Sequence, residues 1–200
     1  MNTFDAIQER RSIKQYDPEH RMREEEIERL LQSVLLSPTA FNLQNWRFVV
    51  VRDPELRKRF KEMAWDQSQI TDASLLVVLC ADLKAWEKEP QRYWRNANKE
   101  VQDLVLPTIG QFYRGREQLQ RDEAMRSCGI AAQTMMLAAK AMGYDSCSII
   151  GFDFDEAGKL IKLPADHVIV MCIAIGKAIE AAGPRSGPLS MEQVVFTDTF

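Results

Sequence analysis

Arg10, Arg11, Ser12 and Lys14 crowd into ERRSIKQYDP, residues 9–18, near the start of a chain whose net charge is −3. Alternate residues of an extended turn point the same way, so Arg10, Ser12 and Lys14 converge on one side. Arginine presents paired N–H donors and lysine a compact charge, so the chemistry this turn suits is capture of an anion, phosphate above all. A solvated basic loop is the plain alternative for so short a run. A second polar stretch, SPTAFNLQNWRF at 37–48, sets Ser37, Thr39, Asn42, Gln44 and Asn45 between an apolar helix and an apolar strand. Side-chain amides donate and accept at once, which suits the edge of a planar heterocycle, although an ordinary helix-to-strand loop has the same composition.

Other chemistries are poorly supplied. The chain has two histidines, His20 and His167, and four cysteines at 80, 128, 147 and 172 with no C-x-x-C. That spacing suits reduced thiols packed as small hydrophobes, and speaks against a zinc site, a disulfide frame or a histidine-activated nucleophile. No G-x-G-x-x-G is present, and the stretch from Gly151 to Lys159 fails as a phosphate loop because Leu160 stands where Ser or Thr would hold magnesium. Asp153 and Asp155 look like paired carboxylates, but Asp155 reads as the N-cap of the next helix.

The elements that must position these residues alternate between helix and strand. At 200 residues, 46% hydrophobic and 28% charged, the chain reads as one globular domain with a core of its own. The mildly acidic balance argues against nucleic-acid or membrane-surface partners, and with no secretory leader or membrane-length apolar run a cytoplasmic location is expected. A helix over 2–10 is capped by Asn2 or Thr3. A second, 23–36, carries the stripe Ile27, Leu30, Leu31, Val34 and Leu35. WRFVVVRDP at 46–54 reads as a strand and PELRKRFKEMA as the helix after it, while the continuous apolar run 73–82 marks a strand covered on both faces. Residues 83–121 suggest one or two helices broken near Pro107 and Gly110, whose aromatics form either a lid or ordinary packing. The helix 122–143 is apolar nearly all round from Cys128, the mark of a central core helix or a dimer interface. A strand and turn at 146–153, a further helix and a strand at 167–176 lead into a Gly/Pro-rich tail ending in a possible edge strand.

RRSIKQY, SPTAFNLQNWRF, SIIGFD and Arg185 before PLSMEQVV follow one another with an order and spacing that resemble the FMN-dependent nitroreductase family over nearly the whole chain. The resemblance implies an α+β fold, a central mostly antiparallel sheet flanked by helices, in one domain spanning 1–200. Residues 83–121 would be a variable lid-like segment and 184–200 a C-terminal extension. It implies an intertwined homodimer with FMN at the interface. Arg10, Ser12 and Lys14 match the residues on the flavin phosphate, ribityl chain and pyrimidine edge, with Arg11 and Arg185 sharing the phosphate. Pro38, Thr39 and Asn42, with Gln44 close behind, match a segment supplied by the partner subunit. Asp66 and Gln69 fall near the pyrimidine, and Ile150 and Gly151 match backbone N–H groups near flavin N5 and O4. Phe41, Asn45, Ser148 and Ile150 depart from the family's commonest residues at their positions.

The activity so implied is ping-pong: hydride passes from NADH or NADPH to flavin N5, then electrons pass to a small-molecule acceptor such as a nitroaromatic or quinone. The flavin carries that chemistry, so no acid–base pair, nucleophile or metal is required of the chain. The rival reading is a non-catalytic flavin-binding or helical interaction protein, whose apolar helix serves partner contacts; turnover of a nicotinamide dinucleotide separates the two.

Overall fold

In the computed structural model, which describes all 200 residues, every residue of the strand Leu75–Asp82 is buried. Leu75, Val77, Leu79 and Ala81 enter one core, and Leu76, Val78 and Cys80 enter another on the opposite face. A strand's two-residue period makes this unavoidable once both faces are covered, which is why the segment reads as an unbroken apolar run. Truncating a side chain such as Leu76 to Ala would cost about 2–5 kcal/mol, because the cavity cannot collapse between two packed layers.

This strand, β2, is central to a sheet ordered β1-β2-β4-β3, with β1 at Trp46–Val50, β3 at Asp145–Ile149 and β4 at His167–Gly176, every pair antiparallel. One face is covered by α2 (Glu24–Val34) and α6 (Glu117–Ala141), the other by α3 (Pro54–Met63), α4 (Gln69–Asp72) and α7 (Phe154–Leu160). The helix α1 (Thr3–Glu9) begins where Asn2 and Asp5 accept hydrogen bonds from each other's backbone N–H, a capping box. The fold is α+β, as the resemblance implies.

Several sequence expectations are corrected. The first strand stops at Val50, short of the Asp53-Pro54 expected to end it; Asp53 caps α3 and Pro54 opens that helix, as expected. The helix expected from 122 begins at Glu117. It is not buried all round in the protomer, for Ile130 and Gln133 face outward while Cys128, Ala131, Met135 and Ala139 face the core. The break expected near Pro107 does not occur: α5 (Lys99–Tyr113) runs through it. An internal proline costs a helix about 3 kcal/mol. Burial of Ile109 and Tyr113 against Leu43 and Trp86 offsets that cost. Asp153, not Asp155, caps α7, its carboxylate accepting from the N–H groups of Asp155 and Glu156 at 3.0 Å. The tail contains no edge strand; its ordered element is the single turn α8 (Met191–Val194), and Val195 and Phe196 beyond it are exposed. No helix is long and apolar enough to cross a membrane.

Candidate functional site

The basic turn is fastened to the sheet from beneath. Ile13 N–H donates to the Ser146 carbonyl at 3.1 Å, and Ser12 bridges Ser146 on the open edge of β3. Ile13 is buried between the exposed Ser12 and Lys14, the alternation expected of an extended segment lying on a sheet; the alternation breaks at the exposed Gln15, which brings Tyr16 inward as well. Tyr16 is the anchor. Its ring passes so close to Gly176 that a Cβ there would stand 2.9 Å from Cδ1, and its hydroxyl donates to the Ala174 carbonyl at 3.4 Å. Burial raises the Tyr16 hydroxyl well above its ordinary pKa, so it stays a donor.

Cations gather above this anchor without acidic partners. Arg10 is the C-cap residue of α1, and Arg185 reaches back from the tail to donate to the carbonyls of Gln8 at 2.8 Å and Arg10 at 3.4 Å. None of Arg10, Arg11, Lys14 and Arg185 forms an ion pair with a carboxylate. Burial pushes the nearby Cys147 thiol up in pKa, while the charges of Lys14 and Arg10 pull against that shift. A cleft of about 360 Å³ opens between Lys14, Tyr16, Ser68, Gln69, Asp72 and Ile179, and one of about 180 Å³ lies where Ser12 and Lys14 face residues 180–183.

The turn after β3 is held by residues that sequence reasoning passed over. Gln67 donates to the Gly151 carbonyl at 2.9 Å and accepts from Gln69 at 2.8 Å, so the buried Gln69 steadies the turn through Gln67. The Trp65 indole lies against Gly151, where a Cβ would stand 2.6 Å from Cζ3, yet the residue is 79% exposed. The N–H groups of Ile150 and Gly151 donate to no protein acceptor, and Ile150 is 67% exposed. Asp66 sits on a left-handed turn with φ 56°, exposed and outside both clefts. The amide-rich run Asp66–Gln69 held a legible signal for Gln67; nothing in the residue types pointed to Trp65.

Pro38, Thr39, Asn42 and Gln44 lie elsewhere. The register pairs Trp46 with Ala81 and Asp82 with His167 at one end of β2, and Leu75 with Ile175 and Ser146 with Ile175 at the other. The amide loop therefore stands near the Asp82 end and the basic turn near the Leu75 end. Eight residues at roughly 3.3 Å each separate them by about 20 Å or more. No hydrogen bond or ion pair joins the two. Phe41, Asn42 and Gln44 all hold positive φ, 52°, 54° and 44°. Left-handed backbone costs a residue other than glycine about 1–2 kcal/mol, and here neighbours enforce it. Trp94 donates its indole N–H to the Phe41 carbonyl at 3.0 Å, Asn42 donates to the Tyr93 carbonyl at 2.8 Å, and Gln44 N–H donates to the Thr39 hydroxyl at 2.9 Å. Leu43, Trp86, Ile109 and Tyr113 form a small core beneath, so the aromatics of 83–113 pack under the loop and brace it. Beside this loop Asn42, Gln44, Arg47, Arg92, Tyr93 and Arg95 line an open polar cleft of about 490 Å³.

Asp82, Asp166 and His167 offer ligand atoms within 4.8 Å of one another, but the acids already face cations. Arg47 bonds Asp82 at 3.0 Å, and Lys88 bonds Asp82 at 2.9 Å and Asp166 at 2.6 Å. Lys88 first, and His167 with it, hold the Asp166 carboxyl down at about 2. The cluster ties the end of β2 to the start of β4.

The fold is α+β and presents a basic turn and an amide loop at opposite ends of one sheet. The model of the nitroreductase family matches residues 7–177. The protein DrgA of Synechocystis sp. is 54% identical over 182 residues, covering 91% of this chain and 87% of its own. The oxygen-insensitive NADPH nitroreductase of Helicobacter pylori is 29% identical, covering 95% of this chain and 94% of its own. A solved structure from Exiguobacterium sibiricum, provisionally termed a nitroreductase and in complex with FMN, is 26% identical with TM-score 0.91, covering 99% of this chain and 98% of its own. The chain belongs to the nitroreductase family.

Proposed function

We propose that the chain is an FMN-dependent NAD(P)H oxidoreductase that works as a homodimer. The observation that carries this reading is the basic run Arg10, Arg11 and Lys14, met by Arg185 through the Gln8 and Arg10 carbonyls and with none of the four in an ion pair, near a turn whose Ile150 and Gly151 N–H groups have no protein acceptor. These residues fit a flavin mononucleotide. A phosphate needs clustered guanidinium and ammonium donors, a reduced ring needs a nearby cation, and the ring edge needs free backbone donors, which the Ile150 and Gly151 N–H groups offer. Arg10, Arg11 and Arg185 hold the phosphate, Ser12 the ribityl chain, and Lys14 with Gln69 the pyrimidine edge. Bound FMN would supply the redox chemistry between NADH or NADPH as electron donor and an acceptor such as a nitroaromatic or quinone.

The homodimer follows from the separation of the half-sites. Thr39, Asn42 and Gln44 stand too far from the basic turn of their own protomer to enclose one ring with it, so they serve the turn of a partner. Exposed apolar side chains on α1 (Phe4, Ile7), after α2 (Leu35, Leu36), on α6 (Ile130) and along the tail (Leu189, Val195, Phe196) supply the driving force for association. An obligate interface of this kind buries more than about 2,000 Å².

An absorbance spectrum of the purified protein, followed by heat release and chromatography of the flavin, tests the cofactor. FMN is expected. FAD, or no flavin after reconstitution, sinks the proposal. Oxidation of NADH or NADPH with nitroaromatic and quinone acceptors tests the activity, and a flavin-loaded dimer reduced by neither dinucleotide refutes it.

A further inference from the structure

Two arginines near the amide loop are surplus to a flavin site. Arg92 and Arg95 sit on the short turn of helix Pro90–Trp94 and its C-cap, and neither pairs with a carboxylate. Arg92 lies with its guanidinium carbon 4.7 Å from the centre of the Tyr93 ring and donates to the Tyr93 hydroxyl; Arg95 donates to no other side chain. Both line the polar cleft of about 490 Å³ with Asn42, Gln44 and Arg47. Arg47 differs, its guanidinium being committed to Asp82 and to the carbonyls of Gln44 and Trp46.

We infer that this cleft receives a phosphate of the nicotinamide dinucleotide, with Arg92 and Arg95 as its ligands, and so sets the enzyme's choice of electron donor. The inference rests on the oxidoreductase reading above. A flavin mononucleotide has one phosphate, and in the dimer the four cations of the partner's basic turn already provide for the one beside this loop. Two more guanidiniums in an open polar cleft call for a second anion, and in a dinucleotide-dependent reaction the electron donor is the anionic ligand available. The placement is apt because Asn42 belongs to the loop proposed to meet the flavin and is hydrogen-bonded to the Tyr93 carbonyl, one residue from Arg92 and two from Arg95. A donor whose nicotinamide lies on the flavin beside that loop has its charged remainder directed along the cleft. The Tyr93 ring, covered by Arg92, keeps that guanidinium oriented in the free protein, which reduces the ordering required when phosphate binds. Two phosphate groups are available on the donor: the diphosphate shared by NADH and NADPH, and the adenosine 2′-phosphate of NADPH alone. Guanidinium–phosphate recognition is common to both.

The test uses the FMN-loaded dimer, wild type and Arg92→Ala/Arg95→Ala, with flavin stoichiometry as the control for folding. Calorimetry with adenosine 2′,5′-bisphosphate and with ADP reads binding directly, and steady-state kinetics with NADPH and NADH read its use. Loss of two charge-assisted contacts should weaken binding and raise KM by roughly tenfold to a hundredfold, with kcat changed by less than about twofold. Confinement of the loss to the bisphosphate and NADPH identifies the 2′-phosphate, whereas loss with ADP and both dinucleotides identifies the diphosphate. Arg92→Lys/Arg95→Lys should restore part of the affinity. The inference is overturned if the flavin-loaded double alanine variant binds both analogues and uses both dinucleotides like the wild type, or if the wild type binds neither analogue. If wild-type flavin is reduced by neither dinucleotide, the oxidoreductase reading falls first; normal reduction in wild type and variant alike overturns this inference alone.

Discussion

Replacing Gln67 with Met removes a residue that does two jobs at nearly constant volume. The Gly151 carbonyl loses its donor at 2.9 Å and the Gln69 side chain loses its acceptor at 2.8 Å. Gly151 is half-buried and water reaches it, so the first loss costs about 1 kcal/mol, the net worth of an ordinary hydrogen bond. Gln69 is only 3% exposed, and its amide nitrogen has no other partner. Leaving that buried donor unsatisfied costs a further 1–3 kcal/mol or so, for a total of about 2–4 kcal/mol. Gln69→Met removes the buried amide itself and leaves only the half-buried Gln67 oxygen short of a partner, so its cost is about 1 kcal/mol or less. The double variant Gln67→Met/Gln69→Met contains no stranded amide and should cost about 1–2 kcal/mol, well short of the sum of the singles. Urea unfolding of the flavin-free proteins, compared at constant m value, measures all three. Additive losses, or a Gln67→Met loss under about 0.5 kcal/mol, would refute the relay from Gln69 through Gln67 to the Gly151 turn.

Lys14→Met, which removes the cation proposed at the pyrimidine edge, should weaken FMN binding and lower the flavin's reduction potential by tens of millivolts, about 30 mV for each 1.4 kcal/mol of lost stabilisation of the reduced form. An unchanged potential in protein that still holds FMN takes Lys14 out of that role. Arg10→Ala/Ser12→Ala and Thr39→Ala/Asn42→Ala should each bind FMN poorly as homodimers, yet refolding the two together should restore one sound site in the mixed dimer, read as flavin bound per chain; failure of any restoration refutes the shared site. The ion pair holding Asp166 at about 2 contributes stability that is fully present above the ordinary carboxylate pKa and is lost as pH falls through the folded value. Asp166→Asn should therefore be less stable than wild type near neutrality. The gap should close between about pH 4 and pH 2, as denaturation curves across that range would show; a gap that persists at the acid end places the stabilisation elsewhere.

The residues of the basic turn, the N-terminal start of α1 and the doubly covered strand β2 were legible in the chain, because each depends on local period or local chemistry. Alternation alone placed Ser12 and Lys14 outward over Ile13, and Asp53-Pro54 alone announced the start of α3. The likeness of the motifs gave the family before any coordinates did. What only the tertiary structure decided was where these pieces stand relative to one another. The antiparallel register puts the basic turn and the amide loop at opposite ends of β2, and no periodicity carries that distance. The continuation of α5 through Pro107 was likewise illegible, since burial of Ile109 and Tyr113 outweighs a local penalty that sequence reasoning weighs by itself. The left-handed backbone at Phe41, Asn42 and Gln44 runs against the preference of its own residues. At Phe41 and Asn42 it is imposed by Trp94 and Tyr93, some fifty residues away, and long-range hydrogen bonds of that kind leave no trace in the spacing of the residues they constrain.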